Sequence, residues 1–329
     1  MQYFLSYDVG TSSVKSILID TNGNVLATAI EEYPLFTPNP GWVEQEPLDY
    51  WNAICKATNR IIQSTNVSKE AIKGLAFSTQ AQGVIPVDKD GSVLNRNISW
   101  VDGRAEEQAR KAMNYFGGKS IFKLVAGTEL TGKDVIPKII WLKDKHPEIY
   151  NKTYKILDVN GYLKYKCTGK MVAEWSGACS YAFDVKKKDW ERLFFKLCKI
   201  DLAKLPDLVR SIDLVGTLTK EAAEQLGLSV NTGVYGGCDD TQSAAIGTTA
   251  IGEGEAHIYV GTSAWVGVST ARNLKFKNAT FCLQSADPTK NIVVGITESA
   301  GINTQWLIST YYQKEKETLS NKPFRFIDN

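Results

Sequence analysis

The stretch Tyr7-Asp8-Val9-Gly10-Thr11-Ser12-Ser13-Val14-Lys15 lies between two apolar runs, Tyr3 to Tyr7 and Val14 to Ile19. Two apolar runs separated by a short polar break with a glycine form the pattern of a β-hairpin, and Gly10 supplies the freedom its turn needs. The break holds a carboxylate, three hydroxyls and a lysine, more polar chemistry than a turn requires. Backbone N–H groups in such a turn make a nest for anionic oxygens, Thr11, Ser12 and Ser13 add hydroxyl donors, and Asp8 can hold magnesium directly or through water. A strand rather than a helix follows, and the hairpin lacks Gly-Lys-Ser/Thr, which excludes a Walker loop here. Alone, the stretch fits an ordinary Asp-x-Gly turn equally well.

A second stretch changes that balance. Ile258-Tyr259-Val260-Gly261-Thr262-Ser263-Ala264-Trp265-Val266-Gly267-Val268 repeats the apolar run, Gly-Thr-Ser and apolar run. Two like hairpins far apart in the chain suggest two related domains, each offering a phosphate loop to one nucleotide held between them. A chain of 329 residues, 43% of them hydrophobic, is long enough for two domains. Residues 1–245 carry a full set of strands and helices, whereas 246–329 supply a few strands and one helix.

Other function classes are disfavoured. A net charge of +2, with no basic block interleaved with aromatics, gives no case for nucleic-acid binding. The six cysteines show no C-x-x-C spacing, so neither a zinc site nor a disulfide framework is indicated, and reduced thiols suit a cytoplasmic protein. The chain enters a strand at once without a signal peptide, and no apolar run approaches membrane-spanning length. Only His146 and His257 are present, so any general base is expected to be a carboxylate.

In order, Tyr3–Tyr7, Val14–Asp20 and Asn24–Glu31 read as strands, followed by a helix entered at Pro47. Ile72–Ser78 reads as a buried strand, with Gly83–Val87 pairing next. Beyond Asp102 the pattern is mainly helical, over 103–115, 137–146, 159–167, 188–199 and 219–227. Val234–Gly237 returns to strand, and a small-residue helix begins at Asp240. The expectation is an α/β fold, a mixed sheet flanked by helices.

Two polar groups accompany this frame. Gln80-Ala81-Gln82-Gly83 follows the buried strand at its carboxyl end, where open sheets bind ligands. Trp100-Val101-Asp102-Gly103-Arg104 adds an aromatic face, a carboxylate and a guanidinium, which together suit a polyol. The alternative is a capped helix, with Asp102 as N-cap, Arg104 solvated and Trp100 in the core. Further on, Gly236-Gly237-Cys238-Asp239-Asp240-Thr241 takes a strand through glycines into two aspartates at a helix start. One aspartate can be a cap, and the other can accept a proton from an attacking hydroxyl.

Together these segments resemble the FGGY carbohydrate kinases. Asp8–Lys15 is similar to that family's first phosphate motif, Gly261-Thr262-Ser263 to its second, and Trp42-Val43-Glu44-Gln45-Glu46-Pro47 with Trp51 to its W-x-E-Q-x-P…W segment. The resemblance implies an actin-like, ribonuclease-H-like duplicated fold whose second domain, 246–329, is incomplete. Domain 1–245 would bind sugar, and the later part nucleotide. It also implies ATP-dependent phosphorylation of a sugar at a terminal hydroxyl, with ATP and Mg2+ as cofactors and possible homodimers. Counting back from Gly247, it makes Asp240 the catalytic base, with Asp239 where glycine is usual. Gln80, Gln82, Trp100, Asp102, Arg104 and Thr241 become sugar contacts. Asp8, Gly10, Thr11, Ser12, Ser13, Lys15, Gly261, Thr262 and Ser263 become phosphate contacts, Asp8 also orienting the metal.

Within the family the chain looks most similar to xylulokinase-like members, which share a Trp-x-Asp-Gly-Arg segment. It departs from them where Gln80-Ala81-Gln82-Gly83 replaces Gln-Met-His-Gly, and in ending early. A sugar-binding sensor on the same fold and an actin- or chaperone-like ATPase are the competing expectations.

Overall fold

In a computed structural model of the chain, residues 1–261, 263–274, 280–297 and 299–312 are described, apart from the side chains of Val125 and Gln305. Strand β1 (Tyr3–Val9) alternates, burying Leu5, Tyr7 and Val9. It pairs antiparallel with β2 (Ser13–Asp20), which sets Asp8 opposite Lys15, and β3 (Val25–Glu32) adds to the far edge of β2. Helix α1 (Pro47–Ser64) opens with proline in its first turn and buries Trp51, Ile54, Ala57 and Ile61 in the same core. Tyr7 stacks on Phe77 and shares a 2.8 Å hydrogen bond with Thr58 of α1, which locks helix to sheet.

Strand β4 (Ile72–Thr79) runs parallel to β1, on the side away from β2. Helices α2 (Val135–Lys145) and α3 (Val159–Thr168) follow, then β5 (Leu214–Thr217), α4 (Lys220–Leu226) and β6 (Gly233–Tyr235). A two-residue strand, β7 (Cys238–Asp239), leads into helix α5 (Asp240–Gly247). Among the described residues the main sheet has seven strands in the order β5-β6-β4-β1-β2-β3, with β7 pairing the carboxyl end of β4. This is the mixed sheet with flanking helices that the sequence pattern leads one to expect.

A second sheet follows: β8 (Ala256–Val260), β9 (Ala264–Thr270), β10 (Thr280–Gln284) and β11 (Asn291–Thr297), in the order β8-β9-β11-β10. Helix α6 (Gly301–Tyr311) closes the described chain. Ala245 of α5 packs against Ile292, Val294, Trp265 and Leu283, so α5 joins the two sheets.

Several boundaries differ from the sequence pattern. Only Ile85–Val87 is strand after Gly83, and it leaves the main sheet to pair antiparallel with Lys155–Leu157. Gln82, at φ 60°, turns the chain aside there. The helix expected over 188–199 is a short hairpin, Phe183–Asp184 with Asp189–Trp190, before a helix limited to Arg192–Leu197. Asp184 accepts the backbone N–H groups of Lys186 and Lys187, and this local turn outcompetes helix formation.

Gly236 and Gly237 are demanded by close approach. A Cβ on Gly237, at φ +70°, would lie 2.3 Å from the Phe77 carbonyl oxygen, and one on Gly236 would lie 2.1 Å from that of Arg210. Gly10 is different: its φ lies outside the left-handed region, and a Cβ would meet only the Ser13 carbonyl oxygen at 3.6 Å. The turn's freedom expected of Gly10 is therefore not used. Its missing side chain leaves the backbone bare.

Candidate active site at three strand ends

Strands β1, β4 and β7 are parallel neighbours and end level with one another: Val9 is in register with Thr79, and Thr79 with Asp239. The chain therefore releases the Gly10 hairpin, Gln80 and Asp240 side by side at one sheet edge. Ligands of open sheets sit at such carboxyl ends.

The Gly10 hairpin is closed by Gly10 N–H to the Ser13 carbonyl at 3.0 Å. Beneath it the Tyr33 hydroxyl reaches the carbonyls of Gly10 (2.5 Å) and Ser13 (3.0 Å), which fixes the turn from the protein side. Ser12 and Lys15 are exposed, and Lys15 Nζ lies 3.2 Å from Asp8 Oδ2. The Asp8 side chain is 46% exposed. One open carboxylate beside hydroxyls suits magnesium, which keeps most of its waters and takes only one or two protein carboxylates. No group of three or more His, Cys, Asp or Glu that could hold a metal occurs among the described residues.

At the start of α5 the two aspartates divide. Asp239 is buried and caps the helix, accepting from Gln242 N at 3.0 Å. Burial, then the neighbouring Asp240 charge, push its carboxyl well above the usual carboxylate range. Asp240 reaches solvent, but the protein around it still strips water from the carboxyl. That desolvation, with the Asp8 charge adding to it, raises Asp240 to about 6. Thr241, half-buried, donates to Asp240 Oδ1 at 3.4 Å.

Gln80 is buried; its Nε2 donates to Gln45 Oε1 at 3.1 Å, while its Oε1 has no partner. Gln82 is half-buried, and buried Lys138 holds its carbonyl (3.2 Å) together with that of Ser99 (2.8 Å). Burial drives Lys138 down to about 7 against the opposing pull of Asp102 and Asp134.

Trp100 is 37% exposed and donates from Nε1 to Thr11 Oγ1 at 3.1 Å, so it flanks the hairpin and is not core. Asp102 caps no helix, because the helix beyond it starts at Glu106 with Ala105 as N-cap. Arg104 is not solvated either: its side chain is 1% exposed. It is bound to Asp102 at 2.7 Å and Glu44 at 2.9 Å, between the rings of Trp42 and Trp141. The capped-helix alternative therefore fails on all three residues. Asp102 and Arg104 are turned inward, and Trp100 faces the hairpin.

Gly261 and Ser263 close the second hairpin, Gly261 N–H donating to the Ser263 carbonyl at 2.8 Å, and Gly261 O accepts from Gly301 N of α6 at 2.8 Å. Thr262 lies outside the described residues. Sequence reasoning missed Gln45, Asn97, Tyr33 and Lys138, which hold the hairpin and the Gln80–Gln82 segment in place. Gln45 and Tyr33 carry no signal beyond a polar residue and an aromatic in loop-like sequence, although Gln45 falls inside the Trp42–Pro47 motif.

Residues 3–247 match the N-terminal domain of the FGGY family of carbohydrate kinases. The chain belongs to that family. It is 32% identical over 314 residues to a xylulose kinase of Staphylococcus epidermidis, covering 94% of this chain and 62% of the relative. It is 27% identical over 319 residues to a gluconokinase of Bacillus subtilis, covering 96% and 61%. A solved structure of ligand-bound xylulose kinase from Lactobacillus acidophilus superposes with a TM-score of 0.86 at 25% identity, over 94% of this chain and 63% of that one. The chain thus spans about three-fifths of the length of these FGGY relatives. Among its described residues no helix is long and apolar enough to cross a membrane.

Proposed function

We propose that this chain carries the acceptor and phosphate-binding half of an ATP-dependent sugar kinase. The observation that supports it best is the meeting of the Asp8 hairpin, Gln80 and Asp240 at three adjacent strand ends, with Asp8 electrostatically felt by Asp240. A terminal hydroxyl of a ketose or polyol attacks the γ-phosphorus of ATP. The new O–P bond forms as the bond to the leaving ADP breaks, and the hydroxyl proton passes to Asp240. With its carboxyl near 6, Asp240 is ionised at neutral pH and more basic than a solvated aspartate.

The bare backbone of Gly10, the hydroxyls of Thr11, Ser12 and Ser13, and Lys15 bind phosphate oxygens; Gly261 and Ser263 do so from the second sheet, and Thr262 is the third member of that motif. Asp8 would hold Mg2+, which when bound neutralises phosphate charge. The orphaned Gln80 Oε1 accepts from a sugar hydroxyl, and Gln82, Trp100 and Thr241 complete the contacts. Asp102 and Arg104, expected as sugar contacts, are instead buried and paired with one another, so they are left out of the contact set. In this reading 1–245 is the sugar domain and 246–329 belongs to the nucleotide domain.

The relatives named above include both a xylulose kinase and a gluconokinase, so a five- or six-carbon acceptor is the class proposed. The test is sugar-dependent ADP release over a panel of pentuloses, hexuloses, gluconate and glycerol. ADP release unaffected by every sugar, with no sugar raising the melting temperature, would sink the reading.

A further inference from the structure

The Trp42–Pro47 segment has no part in the chemistry above, yet it touches the Gly10 hairpin, Gln80 and Arg104. Trp42 covers the Arg104 guanidinium at 3.8 Å, and Glu44 takes the same group at 2.9 Å. Gln45, fully buried, goes further. Its Nε2 donates to the Thr11 carbonyl at 2.6 Å, inside the hairpin turn. Its Oε1 accepts from Gln80 Nε2 at 3.1 Å and from Asn97 Nδ2 at 3.2 Å. Asn97 is anchored in turn, donating to the Tyr50 hydroxyl (2.9 Å) and accepting from Val84 N (2.9 Å).

The direction of this chain of bonds is dictated by its ends. A backbone carbonyl can only accept, so Gln45 must present its NH2 to Thr11 and its oxygen to the two other amides. Gln80 then has its own NH2 committed to Gln45, which is why its oxygen is the atom left over. A hydroxyl donated to that oxygen would polarise the Gln80 amide, strengthen its bond to Gln45, and pass on to the Thr11 carbonyl.

From this we infer that Gln45 is a positioning residue that couples occupancy of the Gln80 side to the geometry of the Gly10 hairpin. The inference rests on the functional reading above, in which Gln80 meets the sugar and the hairpin meets phosphate. It gives the Trp42–Pro47 segment a role: a bracket that lets a bound sugar set the phosphate loop.

The test uses the 329-residue chain labelled with 15N and titrated with xylulose and with gluconate. In the wild type the amide resonances of Gln80 and of Gly10–Ser13 should move together. Gln45→Glu keeps an acceptor for Gln80 and Asn97 but cannot donate to Thr11. Gln45→Met removes both links while filling the space. In either variant sugar affinity should fall by no more than about tenfold, the scale of one or two buried hydrogen bonds. The Gln80 resonance should still respond, and the Gly10–Ser13 response should shrink to what the Trp100–Thr11 bond transmits. Hairpin responses as large as wild type in both variants overturn the inference.

If the wild type binds no sugar of the panel above, it is the functional reading that fails. The bracket is then decided by hydrogen exchange in the free protein. There Gln45→Met should speed exchange together at Gly10 N–H, bonded to Ser13 O, and at Gln80 N–H, bonded to Val9 O. Unchanged exchange at both sites overturns it.

Discussion

Asp239 and Asp240 are adjacent, yet only one carboxyl is spent on capping: Asp239 turns inward to cap α5 through Gln242 N at 3.0 Å, and Asp240 reaches solvent where the Asp8 charge helps raise its carboxyl. In the proposed reading the pair separates structure from chemistry. In a chain extended to the length of its relatives, Asp240→Asn should lower turnover by about 10²–10⁴-fold, the scale of a positioned proton acceptor. Asp239→Asn should leave turnover near wild type, because asparagine caps as well as aspartate, while Asp239→Ala should cost about 1 kcal/mol of stability. Steady-state kinetics and denaturant melts on the three variants decide it. A crippled Asp239→Asn beside an active Asp240→Asn would shift the base by one residue.

Asp240 also fixes a pH dependence. Its carboxyl is raised from 3.8 to about 6, mainly by desolvation. Turnover should rise through pH 6 and level off above it, as the base loses its proton. Stability runs the other way: a raised carboxyl pKa contributes fully below its unfolded value and loses that contribution as pH climbs through about 6. Asp240→Asn should therefore melt higher than wild type at pH 8 and level with it near pH 3. Equal melting differences at both pH values would mean that the Asp240 carboxyl is not held up in the folded state.

Much of the frame was legible because it rests on periodicity. Leu5, Tyr7 and Val9 alternate into the core, α1 keeps Trp51, Ile54, Ala57 and Ile61 on one face, and Asp240 opens a helix as its position before small residues suggests. The errors lie where long-range contacts decide. Nothing local to Arg104 says that Trp42 and Trp141 will enclose it, nor does Gln45's neighbourhood reveal Thr11 and Gln80 as partners. The short hairpin at 183–190 lost to a helical reading because one carboxylate, Asp184, organises its turn. Gly10 sits in the hairpin turn, but its backbone does not use the freedom that the sequence pattern leads one to expect.

Trp100 offers a direct optical test of the proposed sugar site, since the residue is 37% exposed and its indole is bonded to Thr11. A bound pentulose or hexulose should quench or shift tryptophan fluorescence in the wild type. Trp100→Phe should abolish most of that signal and weaken binding by about tenfold, as expected for a smaller stacking face no longer held by the bond to Thr11. Calorimetry supplies the affinity independently of the fluorophore. An undiminished sugar affinity in Trp100→Phe would remove Trp100 from the site and leave its bond to Thr11 as structural.

The second sheet yields the last prediction. Ile258 and Val260 share one face of β8, and the register sets Ile258 beside Val266 of β9. These three side chains are 70%, 69% and 44% exposed. The opposite face is the one that packs on α5 through Ile292, Val294 and Ala245. Among the described residues one face of the sheet is thus covered, and the other presents Ile258, Val260 and Val266; an exposed apolar sheet face drives association. Sedimentation velocity should show mass rising with concentration. Replacing Ile258 and Val260 together by lysine should return the protein to monomer while leaving its melting temperature close to wild type, because neither side chain is part of a core. A chain that stays monomeric at every concentration, or a double variant that associates unchanged, would show that this face is not what brings copies together.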